Sequence, residues 1–205
     1  MKAMIGHRHS TVGAAFLSTL IVASLLLLFP MKAHSAPCGT TILDLTAGQT
    51  IPVGSVTVSN DANNIYVTYA IDTVNQTSAT FGTLHLWIGD DLTKVDNGGI
   101  TRPAPGKLSF ISDGTVRGGY SFPSSAGSTS YTFTIPFSAI NVTGVPSSTT
   151  CLNLPALYVV AHAEVKNVFS SNSYKDQTAF GGPTPVAGSA WWFYGQYTIC
   201  CDFGG

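Results

Sequence analysis

The stretch SVTVSNDANNIYVTYAI, residues 55–71, decides the fold of this chain. Apolar side chains occupy every second position on both sides of a short polar segment: Val56, Val58, Ile65, Val67, Tyr69 and Ile71. A period of two is typical of strands with one buried face. The segment between the two halves, NDAN at 60–63, consists mostly of turn-forming residues. The stretch therefore predicts an antiparallel hairpin of two strands, 55–59 and 64–71.

The same alternation recurs along the rest of the chain, whereas helical periodicity is nearly absent. It predicts further strands at residues 41–45, 83–88, 131–137 and 191–199, and the segment 156–165, apolar on both faces at first, predicts a central strand covered on both sides. The stretch from Gly89 to Ser130 is rich in Gly, Pro, Ser and Asp, and it predicts a long loop with room for one short hairpin. About seven short strands without helix favour an all-β fold, a single antiparallel β-sandwich of Ig-like or jelly-roll-like type.

The N-terminal segment differs in character from the rest. Lys2 and Arg8 give it a basic start, an apolar run from Val12 to Phe29 follows, and small residues end it at 33–36 (AHSA). This order of charge, apolar run and small side chains is typical of a secretory signal peptide.

We therefore divide the chain into a signal peptide, residues 1–35, and a secreted domain, residues 36–205. The domain is expected in the extracellular space, with the cell surface or periplasm as alternatives. The apolar run of about 18 residues is near the lower limit for a membrane span, so an uncleaved anchor is the other interpretation. No second apolar span follows, and no membrane span is expected in the mature protein.

All four cysteines follow the predicted signal peptide: Cys38, Cys151, Cys200 and Cys201. An even count in a secreted chain predicts two disulfides. A bridge between the adjacent Cys200 and Cys201 would be strained, so we expect Cys38 and Cys151 each to pair with one of them. Which pairs with which stays open. The spacing contains no CxxC, which disfavours zinc or thiol-redox chemistry.

The composition of the domain favours a protein without catalytic residues. Residues 36–205 hold six Lys/Arg and ten Asp/Glu, without the basic patch that a nucleic-acid partner requires. Groups for proton transfer are few: one glutamate, Glu164, and two histidines, His85 and His162. The motifs GxSxG, HExxH, GxGxxG and GxxxxGK[ST] are all absent. An aspartate-based site stays open.

One candidate metal site follows the strand at 83–88. It consists of oxygen-bearing side chains: Asp90, Asp91, Asp96 and Asn97. Calcium binds several such oxygens in flexible loops that contain glycine. The spacing matches no EF-hand loop, and these residue types also form ordinary turns. Calcium is thus the one cofactor that the sequence suggests, and turn formation is the alternative.

A second candidate is the pair His162 and Glu164, which share one face of the strand 156–165. Asp176, expected on a following loop, could fold back on them. A carboxylate beside an imidazole could transfer protons or hold a metal. We favour the alternative, a structural polar cluster whose members satisfy one another's hydrogen bonds.

A third candidate is a set of aromatic side chains that the alternation directs away from the core. Trp192 and Tyr194 share one face of the last strand, and Trp87 lies on the outer face of the strand 83–88. Exposed aromatic rings stack on sugars or bind partner proteins. Trp87, Trp192 and Tyr194 are therefore predicted to form a ligand-binding face, unless a second layer covers them.

Several segments of the domain resemble a group of uncharacterised secreted bacterial and fungal β-sandwich proteins. They are CGTTILDLTAGQTIPVGSVTVSNDANNIYVTY (38–69), LHLWIGD (84–90), PAPGKLSF (103–110), LYVVAHAEV (157–165) and QTAF (177–180). The resemblance implies an extracellular role at the cell surface or in the matrix and supplies no catalytic residues. It also implies an acidic residue at the position of Gln177, which this chain lacks.

Three hypotheses for function follow. The first is a non-catalytic extracellular β-sandwich with a surface, matrix or adhesive role, whose partner is a glycan or a matrix or cell-surface component. The second is a carbohydrate-binding module that uses exposed aromatic rings. The third is a secreted hydrolase built on aspartates, Glu164 and His162. We favour the first.

Overall fold

Antiparallel strands form almost all of the regular structure in the computed structural model, which describes residues 38–95, 104–140, 154–185 and 192–201. The predicted signal peptide and its cleavage point lie outside these residues. All of the described residues belong to one compact unit. No helix within them is long and apolar enough to cross a membrane.

The described ranges contain twelve strands and three short 3₁₀ turns. The strands are β1 (Cys38–Ala47), β2 (Ile51–Asn60), β3 (Asn64–Ile71), β4 (Thr80–Gly89), β5 (Phe110–Ile111), β6 (Val116–Arg117), β7 (Tyr120–Ser121), β8 (Ser130–Pro136), β9 (Leu157–Ser170), β10 (Ser173–Gly181), β11 (Thr184–Pro185) and β12 (Phe193–Tyr197). The 3₁₀ turns are Leu92–Lys94, Pro105–Lys107 and Phe137–Ala139. The all-β prediction is confirmed.

The predicted hairpin at 55–71 is confirmed as β2 and β3. Val58 pairs with Val67 and Val56 with Tyr69, so the apolar positions of both strands share one face. The turn is held by Asp61, whose Oδ1 accepts hydrogen bonds of 2.7 Å from the backbone N–H groups of Asn63 and of Asn64, the first residue of β3. Both strands bury alternate side chains, as the period of two requires.

One antiparallel sheet carries ten of the strands. Its order is β11-β12-β9-β10-β1-β2-β3-β8, with β4 on the other edge of β9 and β5 beside β4. The sheet curls until its ends meet, because the backbone of Phe81 in β4 exchanges hydrogen bonds of 2.8 Å with Gly127 and Ser128, just before β8. The architecture is thus a curled sheet, and its finer assignment to an Ig-like or jelly-roll-like sandwich stays a prediction.

The core fills the concave side of this sheet. Tyr69, Phe81 and Phe133 are fully buried there, with ring centroids 6.2 Å and 5.9 Å from Tyr69 in edge-to-face arrangements. Such aromatic pairs are favoured over parallel sandwiches by the quadrupole of the ring. The Tyr69 hydroxyl donates to the carbonyl of His85 at 3.1 Å, which ties β3 to β4 through the core.

The strand β9 is the centre of the sheet, as the apolar segment 156–165 predicts, and it is longer than predicted. Its 14 residues pair with β4 on one edge and with β12 and β10 on the other. The strand β10 follows through a turn at Ser171 and Asn172, both with positive φ. Asp176 and Gln177, which the sequence predicts on a loop, lie in β10, because the hairpin pairs this polar segment with β9.

Candidate functional site

A second apolar layer covers the outer face of β4 and β9. Its buried members are Trp87, Val95, Leu108, Val160, Phe180 and Trp192. Of the two interpretations of Trp87 and Trp192, an exposed ligand-binding face and a covering second layer, the structure has the second: the two residues are 7% and 6% exposed, because Val95, Leu108 and Phe180 pack over the same face. Tyr194 is half-buried, with its ring 5.6 Å from that of Tyr158.

Two histidines face each other beside this layer. His85 and His162 are directly paired across β4 and β9, and their Nδ1 atoms lie 3.0 Å apart. Both side chains are buried, at 7% and 3% exposure. At this distance one neutral imidazole donates to the other. Burial, and after it the charge of His85, lower the pKa of His162 from 6.5 to about 3.

The pKa of His85 is lowered as well. Burial is the main cause of the lowering. The charges of Glu164 and Asp113 raise the pKa of His85, and the charge of Arg117 lowers it further. Both imidazoles are therefore neutral at pH 7, and neither is exposed to a substrate in solution. A general acid or base must be within reach of the group on which it acts.

The predicted cluster of His162, Glu164 and Asp176 is not joined in the structure. Glu164 is exposed, and its Oε2 accepts a long hydrogen bond of 3.4 Å from the backbone of Thr83. Asp176 lies in β10, not on a loop, and accepts from Lys166 Nζ at 3.1 Å and from a backbone N–H at 3.2 Å. In the hairpin β9–β10 this carboxylate faces solvent, so each of the three side chains contacts different partners.

Asp90 and Asp91 act in the structure as turn residues. Asp91 Oδ1 accepts from the backbone N–H of Thr93 at 2.9 Å and from its hydroxyl at 2.7 Å, which begins the 3₁₀ turn. Asp90 Oδ1 binds Lys94 Nζ at 2.8 Å. Asp96 and Asn97, the other two candidate calcium ligands, lie outside the described residues. Within the described ranges no group of three acidic, histidine or cysteine side chains is arranged to hold a metal ion.

A groove lies at the C-terminal end of β4, and we call it the β4 groove. It has a volume of about 490 Å³, within the usual range for small-molecule sites. Its lining combines apolar and polar side chains: Trp87, Ile88, Asp90, Thr93, Lys94, Ser109, Phe110, Ala139 and Ile140, with Gly89. Two of the sequence-predicted residues, Trp87 and Asp90, thus meet in one groove.

Exposed aromatic rings lie at the opposite end of β9. Phe169 and Tyr174 form a cross-strand pair beside the β9–β10 turn, with ring centroids 5.2 Å apart and side chains 41% and 55% exposed. Val74, on the turn between β3 and β4, is 82% exposed. We call Val74, Phe169 and Tyr174 the aromatic tip.

The aromatic tip is held by one buried side chain. Gln76 is 5% exposed; its Oε1 accepts from the Phe169 backbone N–H at 2.8 Å, and its Nε2 donates to the Phe169 carbonyl at 3.3 Å. Asp72 fixes the turn that carries Val74, because its Oδ1 accepts from the backbone N–H of that residue at 3.1 Å. The two turns are therefore joined, and the exposed rings start from an ordered backbone.

Sequence reasoning missed the aromatic tip. The signal was present in FSSNSY at 169–174, where two aromatic residues flank a turn of Ser and Asn, as in a hairpin with a cross-strand aromatic pair. It was missed because the polar residues that follow were interpreted as a loop.

The C-terminal segment is fastened to the end of β2. Asn60 is fully buried; its Oδ1 accepts from the Tyr197 hydroxyl and, at 2.8 Å, from the Cys200 backbone N–H, while its Nδ2 donates to the Cys200 carbonyl at 3.0 Å. Among the described residues no cysteine is a free thiol. The side chain of Cys38 and all of Cys151 lie outside the described residues, so the pairing stays a prediction.

No protein-family model, curated protein or solved structure matches the chain. The functional assignment therefore rests on the geometry of the aromatic tip, the β4 groove and the histidine pair.

Proposed function

We propose that the chain is a non-catalytic extracellular protein with a surface, matrix or adhesive role, and that it attaches to its partner through the aromatic tip. The observation that carries the proposal is the exposed pair Phe169 and Tyr174, 41% and 55% exposed, with the backbone of Phe169 held by Gln76 and Tyr174 paired to it across the hairpin. Large exposed apolar groups on a soluble domain commonly mark a binding surface.

The chemistry of the aromatic tip favours a glycan as the partner. Aromatic faces stack on the C–H faces of sugar rings, and a ring carried on an ordered backbone loses less entropy on binding than one on a mobile loop. The turn between the two rings supplies three serine hydroxyls and one amide, at Ser170, Ser171, Asn172 and Ser173. Lys166 is paired with Asp176, which leaves Lys175 as the one unpaired cation of the hairpin and does not favour an anionic membrane surface.

The histidine geometry supports the non-catalytic part of the proposal. His162 is buried and bonded to His85, and Glu164 contacts a backbone N–H at a different position. A hydrolase built on Glu164 and His162 would need the two groups to converge on one substrate, and these contacts direct them apart.

The proposal includes secretion and two disulfides. Residues 1–35 would be removed as a signal peptide, and Cys38 and Cys151 would each pair with Cys200 or Cys201. The absence of a free thiol among the described residues is consistent with this pairing. Bridges of this kind are typical of oxidising compartments.

A pull-down with insoluble polysaccharides tests the proposal. The secreted domain is incubated with cellulose, chitin and peptidoglycan, and the bound fraction and any soluble sugar released are measured. We expect at least one of the three to retain the domain without sugar release, and Phe169→Ser/Tyr174→Ser to lose most of that retention.

Val116→Ser is the matched control, because Val116 is 73% exposed and lies on β6, away from the aromatic tip. It should keep wild-type retention. Three results would each contradict the proposal: equal losses of retention in the two variants, retention by none of the three polysaccharides, or release of soluble sugar.

A further inference from the structure

We propose that the β4 groove is a second binding site, distinct from the aromatic tip, and that its ligand is a neutral saccharide bound through two adjacent hydroxyl groups. The groove lies at Gly89, which pairs with Tyr158 at one end of β9, whereas Phe169 lies near the other end. At about 3.3 Å per residue the two sites are roughly 35 Å apart along the strand.

The apolar side of the groove offers the edges of buried side chains, and not an open ring face, to the C–H groups of a sugar. Phe110 and Trp87 line it together with Ile88 and Ile140. Phe110 is anchored by edge-to-face contacts with Tyr120 and with a second phenylalanine, at 6.0 Å and 5.9 Å. Phe110 and Trp87 are nearly fully buried, so neighbouring side chains hold them in fixed positions.

The polar side offers an acceptor and a donor next to each other. Asp90 Oδ1 accepts from Lys94 Nζ at 2.8 Å, and among the described residues no other hydrogen bond is made to this carboxylate. Asp90 Oδ2 and the remaining ammonium N–H groups of Lys94 are therefore available. Ser109, exposed on the groove wall, adds a hydroxyl.

This side of the groove is held in place before a ligand arrives. Asp91 accepts from both the backbone N–H and the hydroxyl of Thr93, which closes the 3₁₀ turn Leu92–Lys94. The turn places Lys94 four residues after Asp90, where the ion pair forms. Polar groups fixed in this way lose less entropy when a ligand binds.

The charge of the groove selects the class of ligand. Asp90 and Lys94 neutralise each other, so a phosphate or carboxylate would meet the Asp90 carboxylate, and a cation would meet the Lys94 ammonium. Two hydroxyls on neighbouring carbons avoid both conflicts: one donates to Asp90 and the other accepts from Lys94. The apolar wall of Phe110 and Trp87 then contacts the ring. The site thus fits a neutral sugar with a vicinal diol.

A titration followed by backbone amide NMR tests the proposal. The probes are methyl α-mannoside, methyl β-glucoside and methyl β-galactoside, with sodium acetate and inorganic phosphate as ionic probes. We expect at least one glycoside to shift the amides of residues 89–94 and 109–110 in a saturable way, with the millimolar Kd usual for a single sugar. Asp90→Asn and Lys94→Met should each weaken that binding about tenfold.

Lys107→Met is the matched control, because Lys107 also ends a 3₁₀ turn, Pro105–Lys107, but does not line the groove. It should bind the glycoside as the wild type does. Three results would overturn the proposal: no saturable shift up to about 50 mM glycoside, unchanged binding in Asp90→Asn and Lys94→Met, or saturation by acetate or phosphate in place of the glycosides.

Discussion

His85 and His162 pair Nδ1 to Nδ1 at 3.0 Å across the two central strands, and both are buried. One hydrogen lies between the two nitrogens, so the pair exists as two neutral rings. A proton on the accepting Nδ1 would remove the acceptor, and a proton on either ring would place a charge in this buried site, beside the Phe180 ring, whose centroid is 4.9 Å from that of His162. The pair is thus a structural contact whose burial favours the unprotonated state of both rings.

The first prediction follows from this preference for the unprotonated state. The folded pKa of His162 is about 3, below its ordinary value of 6.5, so the unfolded state binds the proton more readily. The contribution of neutral His162 to the free energy of unfolding is fully present above pH 6.5 and is lost as the pH decreases towards 3. We expect the free energy of unfolding to fall by about 2–3 kcal/mol between pH 7 and pH 4.5, as measured by urea denaturation. His162→Gln should lose most of this dependence. Equal free energies at the two pH values in the wild type would contradict it.

The second prediction separates His162 from Glu164. Glu164→Gln should change the free energy of unfolding by less than about 0.5 kcal/mol, because the side chain is exposed and makes one long hydrogen bond. His162→Asn should cost about 1–3 kcal/mol, because it leaves the buried His85 without its partner. Urea denaturation at pH 7 measures both. Similar costs for the two substitutions would show that the two residues form one cluster after all.

The third prediction concerns Asn60. Asn60→Ala should lower the free energy of unfolding by about 2–3 kcal/mol, because the Tyr197 hydroxyl and the backbone of Cys200 lose buried partners. Thermal or urea denaturation measures the loss. Asn63→Ala is the control, because the side chain of Asn63 is exposed and only its backbone N–H bonds to Asp61; it should cost less than about 0.5 kcal/mol. A cost for Asn60→Ala no larger than that of the control would argue against the fastening described here.

The fourth prediction tests the contact between Gly89 and Trp87. A Cβ at Gly89 would lie 2.6 Å from Cζ2 of the Trp87 ring, so Gly89→Ala should displace the ring and cost about 1–3 kcal/mol. Stability and the tryptophan emission spectrum measure the change. Gly106→Ala is the control, because nothing lies within 4 Å of its Cβ. An unchanged spectrum and stability in Gly89→Ala would mean that the ring does not lie against this glycine.

The fifth prediction concerns the cysteines. We expect two disulfides in the mature protein, each contributing roughly 2–4 kcal/mol because each closes a long loop. Thiol titration of the denatured, unreduced protein measures them. Two or more free thiols would contradict the prediction.

The sequence predicted the strands that bury alternate side chains. It did not predict the features that depend on pairing between strands distant in the chain. β2 and β3 could be recognised because each buries alternate side chains against one core. β10 could not, since its polar first half is a strand only through its partner β9. The pairing of His85 with His162 depends on the register between β4 and β9, which local alternation does not contain. Trp87 and Trp192 were assigned to the outer face correctly, but the layer that buries them comes from distant residues.

The pairing of β1 with β10 affects how the chain acquires its structure. Leu45 pairs with Gly181, and Asn60 bonds to Cys200, 140 positions further along the chain. Contacts so distant in sequence require long loops to close, and all-β proteins dominated by them fold in milliseconds to seconds. Before β9 and β10 are available, the sheet formed by β1, β2 and β3 has an unpaired edge at β1. Such an edge can pair with other chains. The rate at which β9 and β10 become available should therefore determine what fraction of the protein aggregates.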